Sequence, residues 1–280
     1  GSNQGHFEWR IPTNGQKTQY QNEPGADIYF AAALLFADAR WGKGAATDYD
    51  NYAQKIMSNM FNPSKPFFAT ENGYYIYFQT NSTKPGYTIS SYNLPTFLDL
   101  FALRSAPEKN LNEGFTKAAN ASREILFKSC NIRSGLFPDY CNSDGTPHSV
   151  SFYSDSEKYY NYGHLCPMNF GMDYYLTGKD KVRQQEMAKR LITFFEKDNY
   201  IHSSFYWDGD QASDRYLLRQ VGANAVACFA LFGDKEYSDA VKRNLEKAWD
   251  AELQTGQYRT YDGLIHYMAM LHLCESFKIW

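Results

Sequence analysis

Apolar residues recur at helical spacing in nine stretches of this chain, and strand-like alternation is rare. Ala26–Trp41 is strongly apolar, with alanines that let a second helix come close. Asp48–Met60 reads as a more polar helix and Leu94–Leu103 as a short apolar one. Leu111–Phe127 is amphipathic, with Asn110 as its expected cap. Met168–Leu176 reads as buried, and Gln184–Phe195 carries a charged face. Leu217–Phe232 is built from small apolar residues, Lys235–Trp249 alternates charges, and Leu264–Phe277 is apolar again.

Apolar and charged helices therefore take turns. That order suits helical hairpins closed into a toroid, because inner helices bury most of their surface and outer ones a single stripe. Lys65–Tyr87 breaks the alternation, and its run Gly73-Tyr74-Tyr75-Ile76-Tyr77-Phe78 predicts a β-ribbon inserted at about 65–87 near one rim. No linker rich in Pro, Gly or Ser divides the chain, so residues 1–280 are expected to form one all-α barrel domain. The nine predicted helices are three short of a twelve-helix barrel, so its first helices are expected to be missing from this chain.

Composition narrows the partners. Lys plus Arg number 28 against 31 Asp plus Glu, a net charge of −3 with no basic stripe, which argues against nucleic acid and anionic membranes. No apolar run approaches the ~18 residues of a membrane span. Aromatic residues are abundant, with 23 Tyr and 20 Phe. Most must pack in the core, but Tyr also suits a wet concave site, having an apolar face and a polar tip.

The five cysteines are far apart and form no C-x-x-C pair, which supports neither zinc nor a disulfide framework. Cys228 and Cys274, in apolar helical runs, are expected to be buried. His148 and His164 have no partner at metal-ligand spacing. Asp208-Gly209-Asp210 with Asp214 lacks the later Glu of a calcium loop and reads as an exposed turn. No G-x-S-x-G, P-loop or dinucleotide fingerprint occurs, so no cofactor is expected. Gly1-Ser2 reads as a remnant of cloning.

Candidate chemistry gathers in the loop Ser134–Ser156, which sets three acids among rings and turn residues. Rings stack on pyranose faces, and carboxylates hydrogen-bond hydroxyls or move protons, so such a loop fits a sugar-binding cleft. Its acids are Asp139, Asp144 and Asp155. A second acidic pair, Glu23 and Asp27, lies at the mouth of the first apolar helix, where an acid also complements the helix dipole. Asp262 precedes the last helix and reads either as its cap or as a site carboxylate.

In order along the chain, several short motifs resemble glycoside hydrolase family 8, most closely its branch that trims xylose from the reducing end of xylo-oligosaccharides. They are Tyr29-Phe30-Ala31 through Arg40-Trp41-Gly42; Ser91-Tyr92-Asn93-Leu94-Pro95; Ser134-Gly135-Leu136 with Pro138-Asp139-Tyr140 and Asp144-Gly145-Thr146-Pro147; Met168-Asn169-Phe170-Gly171-Met172-Asp173; Asn224-Ala225; Thr255-Gly256 with Arg259 and Tyr261-Asp262; and Phe277-Lys278-Ile279-Trp280. The resemblance runs from about Phe7 to Trp280. It implies a six-hairpin (α/α)6 barrel and inverting hydrolysis of β-1,4-linked xylan- or glucan-type sugars. Substrate-binding roles would fall to Asp27, Tyr92, Asp139, Tyr140, Arg259, Tyr261 and Asp262. Relatives are secreted, periplasmic or cytoplasmic, and the reading leans towards the first two.

The family's general base is an Asp in a Ser-Asp-Ser context just before an inner helix, which Ser154-Asp155-Ser156 matches. The spacing from Asp155 to Asn169 is longer than the family pattern by about two helical turns. Asp155 keeps the role if the insertion follows Ser156; otherwise Asn161 or Tyr162 takes the position. The family's general acid, a Glu in Glu-Gly-x-Ser-Tyr-Gly, has no counterpart here, and Gly25 aligns where the family has an Asp. Two functions follow: a hydrolase whose acid lies outside this chain, or a degenerate relative that binds an oligosaccharide or a partner without cleaving. A purely structural toroid is a third, against which the Tyr-rich loops argue.

Overall fold

The computed structural model describes residues 6–7, 13–14, 22–44, 47–80, 84–107, 110–200, 202–213, 217–256 and 259–278. Gly1, Ser2, Asp214, Ile279 and Trp280, singled out above, lie outside them. Nine α-helices occur among the described residues, one for each predicted stretch. The chain divides into two compact units, one built from Gly1–Thr88 and Phe97–Ser122 and the other from Ile89–Thr96 and Arg123–Lys278. Helices α3 (Pro95–Arg104) and α4 (Asn112–Ser129) and strand β1 (Tyr87–Ile89) have residues in both.

In the first unit, α1 (Pro24–Trp41) packs against α2 (Tyr49–Asn59). Ile28, Ala31, Ala32 and Leu35 form the buried stripe of α1. Asp48 caps α2, its side chain accepting from the Asn51 amide at 3.1 Å. The core of this unit is aromatic: Phe115 sits edge-on to Phe61 and Phe101, at 4.9 and 5.4 Å. Among the described residues the predicted ribbon is realised in part, with a bridge between Phe68 and Ile76. Tyr75, Ile76 and Tyr77 are all buried. A ribbon with one wet face would bury alternate residues, so turns replace the ladder. Asn110 stands two residues before the first residue of α4, its φ of 51° left-handed, and Leu111 holds the cap position.

The second unit holds α5 (Cys166–Thr177), α6 (Lys181–Asp198), α7 (Leu218–Ala227), α8 (Ser238–Trp249) and α9 (Arg259–Leu273). The predicted inner and outer characters hold here. All ten residues of α7 are buried, between α5 and α9, while α6 and α8 bury one stripe each. Gly171 lets α5 touch α7, since a side chain there would collide with the Val226 carbonyl. The character fails at α1 and α9, whose apolar Phe30, Trp41, Leu264 and Tyr267 stay exposed.

Two further departures are local. Cys274 is exposed, because α9 ends at Leu273 and the predicted helical burial does not extend to it. Short strands went unpredicted: β2 (Tyr140–Asn142), β3 (Lys158–Tyr159), β4 (Ser204–Tyr206) and β5 (Gln211–Ser213). β3, β4 and β5 form one antiparallel sheet, with Tyr159 opposite Phe205 and Lys158 opposite Tyr206. Tyr159 and Phe205 point into the core, and Tyr206 is half exposed.

Candidate active site

The segment from Asp139 to Gly163 is organised around one carboxylate. Asp139 is fully buried. Its Oδ1 accepts from the amides of Gly163 (2.7 Å), Asn161 (2.9 Å) and Tyr160 (3.3 Å), and its Oδ2 accepts from the Tyr153 hydroxyl at 2.8 Å. These amides lie at and before a 3-10 turn, Gly163–Leu165, that leads into α5. Donors at a helix entry need acceptors, and Asp139 supplies one for several. Burial pushes its carboxyl up to about 6, against the opposing pull of those donors. Asp139 thus holds residues 160–163 in place.

Tyr140 is buried beside it, its ring 5.9 Å from both Tyr153 and Tyr162 and 6.2 Å from Phe152. Asp155 lies in the turn that follows. Its Oδ1 accepts from Lys158 Nζ at 2.8 Å, its backbone carbonyl from the Lys158 amide at 3.0 Å, and about a quarter of its side chain is exposed. Strand β3 separates Asp155 from α5, and Asn161 and Tyr162 stand directly ahead of the 3-10 turn.

A second buried network reaches the same segment. Arg219 of α7 donates through Nη1 to Asp262 Oδ1, through Nε to His164 Nδ1 at 3.2 Å, and through Nη2 to the Tyr160 carbonyl at 3.3 Å. Its guanidinium also lies 5.3 Å from the Tyr261 ring centre. Because Arg219 can only donate, His164 Nδ1 must accept. His164 Nε2 then carries the proton and donates to the Ser203 carbonyl at 2.8 Å. Burial, then the Arg219 charge, holds the His164 pKa well below the usual imidazole range, which fits this neutral tautomer.

Asp262 is fully buried within the first turn of α9, not ahead of it as expected. Tyr261 beside it is partly exposed, and Arg259, the first residue of α9, is exposed. Tyr92 is buried in a 3-10 turn, Ser90–Tyr92, which Asn169 Nδ2 anchors by donating to the carbonyls of Ser91 (3.0 Å) and Asn93 (3.1 Å). One helical turn on, Asp173 accepts from both Arg123 Nε (2.8 Å) and Nη2 (2.6 Å), from Gln184 Nε2 (2.5 Å) and from Thr96 Oγ1 (3.2 Å). That buried hub fastens four helices beneath the site.

Six of the seven substrate-binding candidates, together with Asp155, belong to the second unit. The seventh, Asp27, belongs to the first and is fully buried there. Its Oδ2 pairs with His6 Nδ1 at 2.6 Å and its Oδ1 accepts from the Phe7 amide at 2.9 Å. Sequence reasoning passed over Arg219, Tyr153 and Arg123. Arg219 had a readable signal, since an arginine inside a small-residue apolar helix must be buried with a partner. Among the described residues no group of three or more His, Cys, Asp or Glu side chains is placed to hold a metal ion.

Residues 2–244 match the family described as glycosyl hydrolases family 8. A reducing end xylose-releasing exo-oligoxylanase of Halalkalibacterium halodurans is 29% identical, over 100% of this chain and 71% of its own length. Endoglucanase 2 of Ruminiclostridium josui is 28% identical, over 98% of this chain and 56% of its own. Among solved structures, a family 8 xylobiose complex from Teredinibacter turnerae superposes with a TM-score of 0.90 at 29% identity, covering 99% of this chain and 72% of that one. The likeness assigns the all-α, six-hairpin (α/α)6 class that the sequence led us to expect.

Proposed function

The chain belongs to glycosyl hydrolase family 8, and on that premise we propose that it acts on β-1,4-linked oligosaccharides of the xylan or glucan type. The reading is inverting hydrolysis, in which one carboxylate activates water and a protonated carboxyl gives its proton to the leaving oxygen. Asp155 is the candidate base, a partly exposed carboxylate in a turn fixed by Lys158. Asp139 is a positioning residue in this reading, holding the backbone ahead of α5, with Arg219 doing the same through the Tyr160 carbonyl. The family's Glu-Gly-x-Ser-Tyr-Gly motif does not occur in this chain, so no residue here is named as the acid.

The observation that carries the proposal is the likeness to a xylobiose complex over 99% of the chain. Incubation with xylohexaose and cellohexaose should release reducing ends, with the new anomeric centre inverted by proton NMR. Asp155→Asn should abolish release and leave sugar binding intact; unchanged turnover would move the base elsewhere. A second reading, binding without cleavage, draws on Asn161 and Tyr162 being the residues directly ahead of the 3-10 turn that leads into α5. It expects calorimetric binding of the same sugars with no product. Absence of both binding and product would sink both readings.

A further inference from the structure

Beside the Asp155 turn, the second unit carries an open groove of about 720 Å³, lined by Ser154, Glu157, Lys158, Tyr206, Asp208 and Asp210. We propose that this groove is a further subsite for a neutral β-1,4-linked sugar, with Tyr206 as its stacking platform; the inference rests on the function proposed above.

The sheet dictates why the ring is there. Phe205 turns into the core, so Tyr206 next to it on β4 must face outward, and half of its surface is open. The ring is held rather than loose. Lys158, opposite Tyr206 in the register, places its Nζ 5.0 Å from the ring centre while also donating to Asp155. The turn that follows is pinned too: Trp207 Nε1 donates to the Ser129 carbonyl at 2.7 Å, and Ser134 Oγ donates to the Trp207 carbonyl at 3.0 Å.

A fixed ring with one face under a lysine leaves the opposite face for a pyranose. Ser154, Glu157, Asp208 and Asp210 supply exposed oxygens that accept from sugar hydroxyls. The volume falls in the range of small-molecule sites. Three acids stand against one lysine, and Asp155 already pairs that lysine, so the groove repels anionic sugars. Ser154 and Glu157 lie one residue before and two residues after Asp155 in the chain, which sets the groove next to the proposed base.

Calorimetry with non-hydrolysable thio-linked xylo- and cello-oligosaccharides of six units tests this. Tyr206→Ala should weaken binding about tenfold, the loss of one aromatic contact, while Tyr206→Phe, which keeps the ring, should stay within about twofold of the natural protein. Appending a glucuronic acid to the sugar should weaken binding further at low salt and less at high salt. If the natural protein binds and Tyr206→Ala binds equally well, or the acidic sugar binds more tightly, the subsite is refuted and the proposed function stands. If the natural protein binds none of these sugars, the proposed function falls and the subsite with it.

Discussion

Replacing Arg219 with methionine removes the cation that pairs with Asp262 in the second unit. Arg219 is 6% exposed and Asp262 0%, so water cannot compensate the carboxylate that is left. Breaking a buried pair from one side costs roughly 3–5 kcal/mol. The lost donors to His164 Nδ1 and the Tyr160 carbonyl fall within that figure. Against a total stability of roughly 5–15 kcal/mol, this is a large fraction. Methionine fills much of the arginine stem volume, so the effect reports charge rather than a cavity. Urea unfolding followed by circular dichroism gives the loss directly. Adding Asp262→Leu should then recover most of it, because an apolar pair of similar size costs little or nothing. Hydrogen exchange should quicken at the amides of Tyr160, Asn161 and Gly163 in both variants, because both lack the Arg219 donor to the Tyr160 carbonyl. A loss below about 1 kcal/mol, or a double variant as unstable as the two singles combined, would refute the account.

Asp139 makes stability depend on pH with a sign opposite to most paired carboxylates. Its folded value of about 6 lies above its ordinary 3.8, so the folded protein holds the proton longer. Its contribution is complete below pH 4 and is lost as pH rises towards 6, by up to about 3 kcal/mol. The stability difference between the natural protein and Asp139→Asn should therefore fall over that window; a flat difference would refute the shift. Gly171→Ala should destabilise by about 1–3 kcal/mol, since the new methyl meets the Val226 carbonyl rather than a yielding side chain; thermal melts measure this. A thiol reagent should label one cysteine per native chain, Cys274, and all five after unfolding, because the other four are buried; mass spectrometry counts the labels.

The helices were legible because each carries a helical apolar period, to which some add a clear end, as in Asp48 capping α2 and Gly178 closing α5. The strands were not. β3 is two residues long, and its pairing with Phe205 is a contact across more than 40 positions that no local period encodes. The site divides the same way. Asp139, Tyr140 and Asp155 share one loop and could be singled out together, whereas the link from Asp262 to Tyr160 runs through Arg219 on another helix. Asp262 was expected ahead of the last helix, as its cap or as a site carboxylate, because aspartate is a favoured cap residue. The buried pairing with Arg219 outweighs that preference and keeps Asp262 inside α9.

The Arg219–Asp262 pair also orders events in time. A ribosome makes Asp262 about a hundred residues after Tyr160, roughly 5–20 s later at typical rates of synthesis. Until then Arg219 lacks its counter-charge, and the Tyr160 carbonyl lacks a securely held donor. Closing so long a loop costs entropy that the contact must offset. The Arg219 fastening of the turn ahead of α5 is therefore among the last contacts of the second unit to form, although Asp139, which holds the same turn from its other side, is made before it.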